Sequence, residues 1–400
     1  MARKKKKYQY IEPMDVTLTI EDVSFMGDGV AHHDGEMVFV PDTIPGETVE
    51  ATIWRKSRRY LEAELKRVVE PSPHRVEPAC RYVGACTGCQ WQHIAYSHQL
   101  DIKTRLVREQ LRRVGGFSDV PVEAAIGCDH PWAYRNHARF TIGPDGALGF
   151  VNKAHRRFVR IEQCPIMDEG VNGLLAKIQD KCGETTQLSI RYGVKTGDWL
   201  IQPTLQSPDV AVDSGQQQYC DALLGHRFTV SSSSFFQVNT KQAERLVELV
   251  RTELALTGQE LLVDAYAGVG TFAVLLAPYA GAVVAIEESA SAVKDARENI
   301  RGLVNVTLVE ARTEEAMAGL GQVADAVILD PPRAGCHPSA ISSLAELGPK
   351  RVVYVSCDPE SLARDLRLLC DGPFALERVQ PLDMFPHTHH IEAVATLRRR

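Results

Sequence analysis

ELLVDAY at 260–266 runs directly into AGVGTF at 267–272, and this stretch decides the fold. A short apolar run ends in an acidic residue, two glycines follow, and helical periodicity begins, so the segment reads as strand, tight turn and helix. Gly268 and Gly270 let the backbone turn closely against a ligand near the helix N-terminus. The loop alone does not choose the ligand. With Ala273 in third place it also satisfies the looser G-x-G-x-x-G/A pattern of a dinucleotide site.

Outward from this loop, AVVAIE (282–287), NVTLVEA (305–311), ADAVILD (324–330) and RVVYVSC (351–357) are further apolar strands, separated by helical patterns. Residues 235–400 are therefore expected to form a doubly wound α/β sheet of the Rossmann-like kind. Residues 14–70 read differently. MDVTLTIEDVS, GEMVFVP, ETVEATIWRKS and YLEAELKRVV alternate apolar and polar between GDG, HDG and PGE turns, as a small antiparallel barrel would. Prolines 71, 73 and 78 close that unit, and a helical run, SHQLDIKTRLVREQLRRVGGF, follows at 97–117. Three domains are expected: 1–72, a central 73–234, and 235–400, with the helix at about 97–115 packing on the last.

The 400 residues are 44% hydrophobic and carry a net charge of -6, which disfavours a protein that coats nucleic acid by bulk charge. No apolar stretch reaches a membrane span, and MARKKKKYQY is basic without the apolar run of a secretory signal. A cytoplasmic protein is expected, its ten cysteines reduced and available for metal binding or nucleophilic catalysis. Lys4 to Lys7 form a basic tail, most simply a solvated one.

Glu287 ends AVVAIE, where a carboxylate accepts both hydroxyls of an adenosine ribose, and Asp330 ends ADAVILD on the same edge. A nucleoside cofactor fits that edge. DPPR at 330–333 resembles the motif methyltransferases place beside a planar base, with Arg333 where amino-methylating enzymes carry an aromatic. VSCDP then delivers Cys357 to the edge. Carbon 5 of uracil is a poor nucleophile until a thiolate adds at C6, and once a methyl group has arrived a base must remove the C5 proton. Cys357 is the candidate nucleophile and Glu392, in FPHTHHIEAVA, the candidate base. A cytosine C5 enzyme would use similar chemistry, usually with its thiol in a proline-cysteine context.

FFQVN, DAYAGVGTF, DPPRAG, VSCDP and FPHTHHIE, in this order, resemble the catalytic domain of the RNA uracil-5-methyltransferase family. The resemblance implies that Gln237, Tyr266, Glu287 and Asp330, with the Gly268 and Gly270 loop, contact S-adenosyl-L-methionine, that Cys357 is the nucleophile and that Glu392 is the base. Cys80, Cys86 and Cys89 are three thiols in one loop, suited to a metal, with Cys128 or Cys164 as a fourth ligand and zinc or iron-sulfur left open by spacing. The family's iron-sulfur branch carries this triplet and a distant Cys-Pro, which implies Cys164 and a [4Fe-4S] cluster. MGDGVA and VFVPDTIPGE resemble a TRAM domain, an OB-like RNA-binding barrel. The barrel carries a basic run, Trp54, Arg55, Lys56, Arg58, Arg59 and Tyr60, and the central region a second, Lys153, His155, Arg156, Arg157 and Arg160, expected to line the substrate path unless it is a solvated face.

The architecture expected is thus an α/β Rossmann-like methyltransferase domain with an N-terminal TRAM barrel and a central iron-sulfur α+β domain. The expected activity is uridine C5 methylation of RNA, with 23S ribosomal RNA as substrate, no membrane, no obligate protein partner and a monomeric chain. Transfer RNA is the nearest alternative substrate, and a noncatalytic RNA-binding factor the alternative of another class.

Overall fold

The computed structural model describes residues 8–119, 121–152, 155–321 and 323–400, so Lys4 to Lys7 and Lys153 lie outside the described residues. The chain separates into two units, one reaching to Leu106 and taking in Phe385–His389, the other made of Val107–Met384 and His390–Arg400.

In the first unit six strands, β1 (Gln9–Thr19), β2 (Asp22–Val23), β3 (Gly29–His33), β4 (Glu36–Val40), β5 (Thr48–Lys56) and β6 (Leu61–Glu70), form one sheet in the order β1-β5-β6-β4-β3-β2. All pairs are antiparallel except β4 with β6. The period of two in the sequence sets the core: Val49, Ala51 and Ile53 of β5 are buried with Leu18, Val38, Val40, Leu61 and Ala63. Each large aliphatic side chain buried this way contributes roughly 1.5–3 kcal/mol. Beyond β6 the chain runs in turns to helix α1 (Tyr96–Arg113). There Arg75 donates two hydrogen bonds to the fully buried Glu47 carboxylate, at 2.6 and 2.8 Å, a paired geometry that compensates burying the charge.

Phe385–His389 belongs to this unit through specific polar contacts. Trp91 N donates to His387 O at 3.0 Å, His387 N to Gln99 Oε1 at 2.9 Å, and Lys103 Nζ to Phe385 O at 3.2 Å. Gly27, at φ +93°, lies so close that an added Cβ would stand 2.9 Å from the His389 Cβ. Only glycine meets both demands there.

The second unit opens with strands β7 (His137–Ile142), β8 (Leu148–Val151) and β9 (Phe158–Arg160), helix α2 (Glu169–Ile178), and strands β10 (Gln187–Tyr192) and β11 (Trp199–Gln202). The five strands form an antiparallel sheet in the order β11-β10-β7-β8-β9. A hairpin of β12 (Gln218–Leu223) and β13 (His226–Ser231) turns on Leu224 and Gly225, both at positive φ. Helix α3 (Thr240–Leu254) follows, capped by the Asn239 side chain.

The principal sheet comprises β14 (Leu261–Asp264), β15 (Ala282–Glu287), β16 (Val306–Glu310), β17 (Ala326–Leu329), β18 (Arg351–Ser356), β19 (Phe374–Leu382) and β20 (Glu392–Arg399). Helices α4 (Thr271–Leu276), α5 (Ala290–Asn299), α6 (Thr313–Gly319), α7 (Pro338–Leu347) and α8 (Pro359–Asp371) connect them. The order is β16-β15-β14-β17-β18-β20-β19, five parallel strands and then an antiparallel pair. That departs from the all-parallel six-stranded order of dinucleotide dehydrogenases. The strand order reverses between β14 and β17, so the carboxyl ends of the parallel strands border a crevice. Because β20 runs the other way, its amino end comes to the same edge. Neither β19 nor β20 stands among the strands expected from sequence; β20 is buried from Glu392 through Leu397 and shows no alternation.

Candidate functional site

The edge of the principal sheet gathers the acidic and glycine residues singled out from sequence. Asp264 ends β14, fully buried; its Oδ2 accepts from Ala273 N at 3.0 Å and its Oδ1 has no partner. Burial, with Asp330 and Glu287 near, pushes its carboxyl up to about 7. Glu287 ends β15 and spans the glycine loop, accepting from Gly268 N at 2.8 Å and Ser289 N at 2.7 Å. Each of its oxygens keeps further acceptor capacity. Gly268 and Gly270 both have positive φ, and Asp330, one residue beyond β17, is raised to about 7 by burial. Tyr266 is half-buried, and burial raises its phenol while its hydroxyl meets Cys336 and Thr313. Gln237 is half-buried, and its carbonyl accepts from Asn136 Nδ2 at 3.1 Å. An unpartnered buried Asp264 oxygen beside a left-handed glycine turn fits a ligand that brings hydrogen-bond donors.

The thiol sits at the same edge. Ser356, the last residue of β18, pairs with Ala393 of β20, which sets Cys357 opposite Glu392. Cys357 is half-buried and Glu392 buried. Burial first, and the Glu392 and Asp330 carboxylates next, push the thiol up to about 11. The Arg333 guanidinium hydrogen-bonds it and pulls the other way. Burial and Asp330 hold the Glu392 carboxyl well above the usual range, again opposed by Arg333. Arg333 Nη2 also lies 3.4 Å from His390 Nδ1. The quartet of Asp330, Arg333, Cys357 and Glu392 holds a nucleophile, a cation to stabilise its anion, and a carboxyl that favours the protonated form.

Sequence reasoning passed over the residues that hold the approach to this edge. Arg191 of β10, buried, donates to the carbonyls of Ser231 (3.4 Å), Ser232 (3.1 Å) and Ser234 (2.8 Å), directly before Phe235, Phe236 and Gln237. From α5, the fully buried Asp295 accepts from Ser231 N at 2.8 Å and Ser231 Oγ at 2.6 Å. Asn299 donates to Val269 O in the glycine loop at 2.9 Å and exchanges two bonds with Thr229. Nothing local in the sequence marks these three, since these partners lie 30 to 70 positions away.

A family model described as tRNA (Uracil-5-)-methyltransferase matches residues 223–400, and one for the TRAM domain matches 15–66. An uncharacterized RNA methyltransferase of Gloeobacter violaceus is 35% identical over 97% of both chains, and one of Halalkalibacterium halodurans is 33% identical over 96% of both. The chain belongs to the RNA uracil-5-methyltransferase family. Among solved structures, Pyrococcus abyssi tRNA (uracil-54, C5)-methyltransferase in complex with S-adenosyl-L-homocysteine matches with TM-score 0.74 at 26% identity, covering 96% of this chain and 100% of that one.

The TRAM match runs from within β1 through β5 and into β6 of this uracil-5-methyltransferase family member. Its basic run is less free than the sequence implies: Arg55 is paired with Glu62 and stacked on Tyr8 and Trp54, and Lys56 Nζ lies 2.6 Å from Glu36. Arg58 and Arg59 remain exposed. In the second run Arg160 is taken up by Asp180 as well as Glu162, while His155, Arg156 and Arg157 are exposed.

Cys80, Cys86 and Cys89 are half-buried and lie in a loop of turns, with Val83 N donating to Cys80 O at 3.2 Å and Cys86 N to Tyr82 O at 2.7 Å. Cys164 lies in the other unit, its backbone held by Asn172. The thiol chemistry suits a metal, but among the described residues no three His, Cys, Asp or Glu side chains are gathered as a metal site. Cys128 donates to Asp383 O at 3.5 Å and accepts from Asn239 Nδ2 at 3.5 Å. Among the described residues no helix is long and apolar enough to cross a membrane.

Proposed function

We propose that this protein methylates C5 of a uridine in RNA with S-adenosyl-L-methionine as donor, through Cys357 and Glu392. The observation that carries the reading is the opposition of Cys357 to Glu392 at the crevice edge, with Arg333 bonded to the thiol. The cofactor, held by Gln237, Tyr266, Gly268, Gly270, Glu287 and Asp330, supplies an electrophilic methyl group. Arg333 favours the thiolate, whose proton passes to solvent; the thiolate adds to C6 of the uracil, and the resulting enolate makes C5 nucleophilic. After methylation Glu392 takes the C5 proton, and the electron pair of that bond expels the thiolate. Glu392 acts from its ionised form: burial raises the proton affinity of that carboxylate while lowering the fraction ionised.

The preferred substrate is 23S ribosomal RNA, with the TRAM barrel as a second RNA contact, and the protein acts as a monomeric cytoplasmic enzyme. Transfer RNA is the second reading, favoured by the name of the matching family model and by the Pyrococcus abyssi enzyme. Cys80, Cys86, Cys89 and Cys164 would hold a [4Fe-4S] cluster, through which no step of the reaction runs. The test incubates the protein and the labelled donor with ribosomal and transfer RNA lacking 5-methyluridine, followed by nucleoside mass spectrometry. 5-Methyluridine in the ribosomal fraction is expected; its absence from both would overturn the reading.

A further inference from the structure

A cavity of about 140 Å³ lies between the segment before β7 and the N-terminal end of α3. Trp132 and Tyr134 supply aromatic wall, Lys241 supplies a cation, and Asp168 lines it beside them. Its other charges cancel, since Arg245 Nη2 binds Asp129 at 2.5 Å. The size is below the roughly 300–1,000 Å³ of pockets that hold drug-sized ligands or whole cofactors, and it suits one planar ring. Aromatic faces beside a cation are what unpaired bases of single-stranded nucleic acid stack on.

Asp168 narrows the choice of base. One of its oxygens accepts from Gly170 N at 2.8 Å as the cap of α2, and the other remains an acceptor on the cavity wall. A carboxylate accepts from an exocyclic amino group and is repelled by the carbonyl edge of uracil. The back wall adjoins the reaction edge through one stretch of backbone. Asn239 Nδ2 donates to Met384 O at 3.1 Å and Gln242 Nε2 to Asp383 O at 2.9 Å, directly after Leu382, which pairs with Glu392. Asn239 also stands two residues beyond Gln237.

We infer that this cavity binds an unstacked, amino-bearing base of the RNA, adenine, cytosine or guanine, flanking the uridine to be methylated. Trp132 stacks on the base, Asp168 accepts from its amino group, and Lys241 takes the adjoining phosphate. The inference rests on the RNA-methylating reading above.

Fluorescein-labelled pentamers of A, C and U, titrated with the full-length protein and read by anisotropy, test it. Wild type should bind A5 and C5 more tightly than U5. Trp132→Ala should weaken A5 and C5 about tenfold, and Trp132→Phe should restore most of the loss, because stacking contributes roughly 1–3 kcal/mol per base. Asp168→Asn keeps the helix cap and should erase the preference over U5. Equal binding of the three pentamers by wild type, or wild-type affinity in Trp132→Ala, overturns the inference. Methylation of full-length RNA is measured in parallel: a wild type with these binding differences but no methylation would instead overturn the functional reading.

Discussion

Cys357 directly follows Ser356, and Glu392 directly precedes Ala393, the last residues that pair β18 with antiparallel β20. Their order in the reaction makes separable demands. Cys357→Ala should abolish methylation while cofactor affinity stays within about twofold. Glu392→Gln blocks only the last step, so it should accumulate a denaturation-resistant protein-RNA adduct carrying the labelled methyl group. Rapid turnover by Glu392→Gln without an adduct would remove Glu392 from the role of base.

Arg333 opposes burial and the Glu392 and Asp330 carboxylates, which together hold the Cys357 thiol up at about 11. A group raised this far is mostly protonated at neutral pH, so kcat/KM should climb as pH rises from 7 to 10. Arg333→Gln removes the stabilising cation, moves that limb to still higher pH, and should lower kcat/KM at pH 8 at least tenfold. An unchanged limb would show that Arg333 does not act through the thiol.

Asp264 and Asp330, both raised to about 7 from an ordinary 3.8, predict an unusual stability profile. Their protonated forms favour the folded state. That contribution is complete below about pH 4 and is lost as pH rises through about 7, at up to roughly 1.4 kcal/mol per pH unit for each proton. The cofactor-free protein should therefore lose thermal stability between pH 5 and 7.5, and Asp264→Asn should flatten the loss. Identical slopes would show that Asp264 does not titrate there.

Asp295 serves Ser231 from inside helix α5. Asp295→Ala strands the half-buried Ser231 N–H and hydroxyl, and should cost about 2 kcal/mol, read as a lower urea midpoint at unchanged m. Asn299→Ala frees Val269 O in the glycine loop and should raise KM for the cofactor more than it changes kcat. A rise in neither KM nor kcat would leave Asn299 a purely structural residue.

Protein purified without oxygen should contain iron and sulfide and absorb near 400 nm. Serine at Cys80, Cys86, Cys89 or Cys164 should each remove the absorbance, and Cys128→Ser, whose thiol bonds Asp383 O and Asn239, should keep it. Stoichiometric zinc in the anaerobic protein would replace the cluster with a zinc site.

What the sequence determined by itself was whatever is encoded locally. The strand, glycine turn and helix of 260–276, the alternation of β5 and the strand-end positions of Glu287, Asp330 and Cys357 all follow from neighbours within a few residues. The family's motifs could be read for the same reason, each being a continuous string. The tertiary structure decided what depends on partners far along the chain. It set β20 antiparallel beside β18, which brings the start of one strand to the end of another, and a strand buried on both faces carries no period to announce that. It also enclosed Arg191, Asp295 and Asn299 around the loop before Gln237, and bound Phe385–His389 to Trp91 and Gln99. A buried polar group must find its partner in space, and composition and spacing do not record which residue that will be.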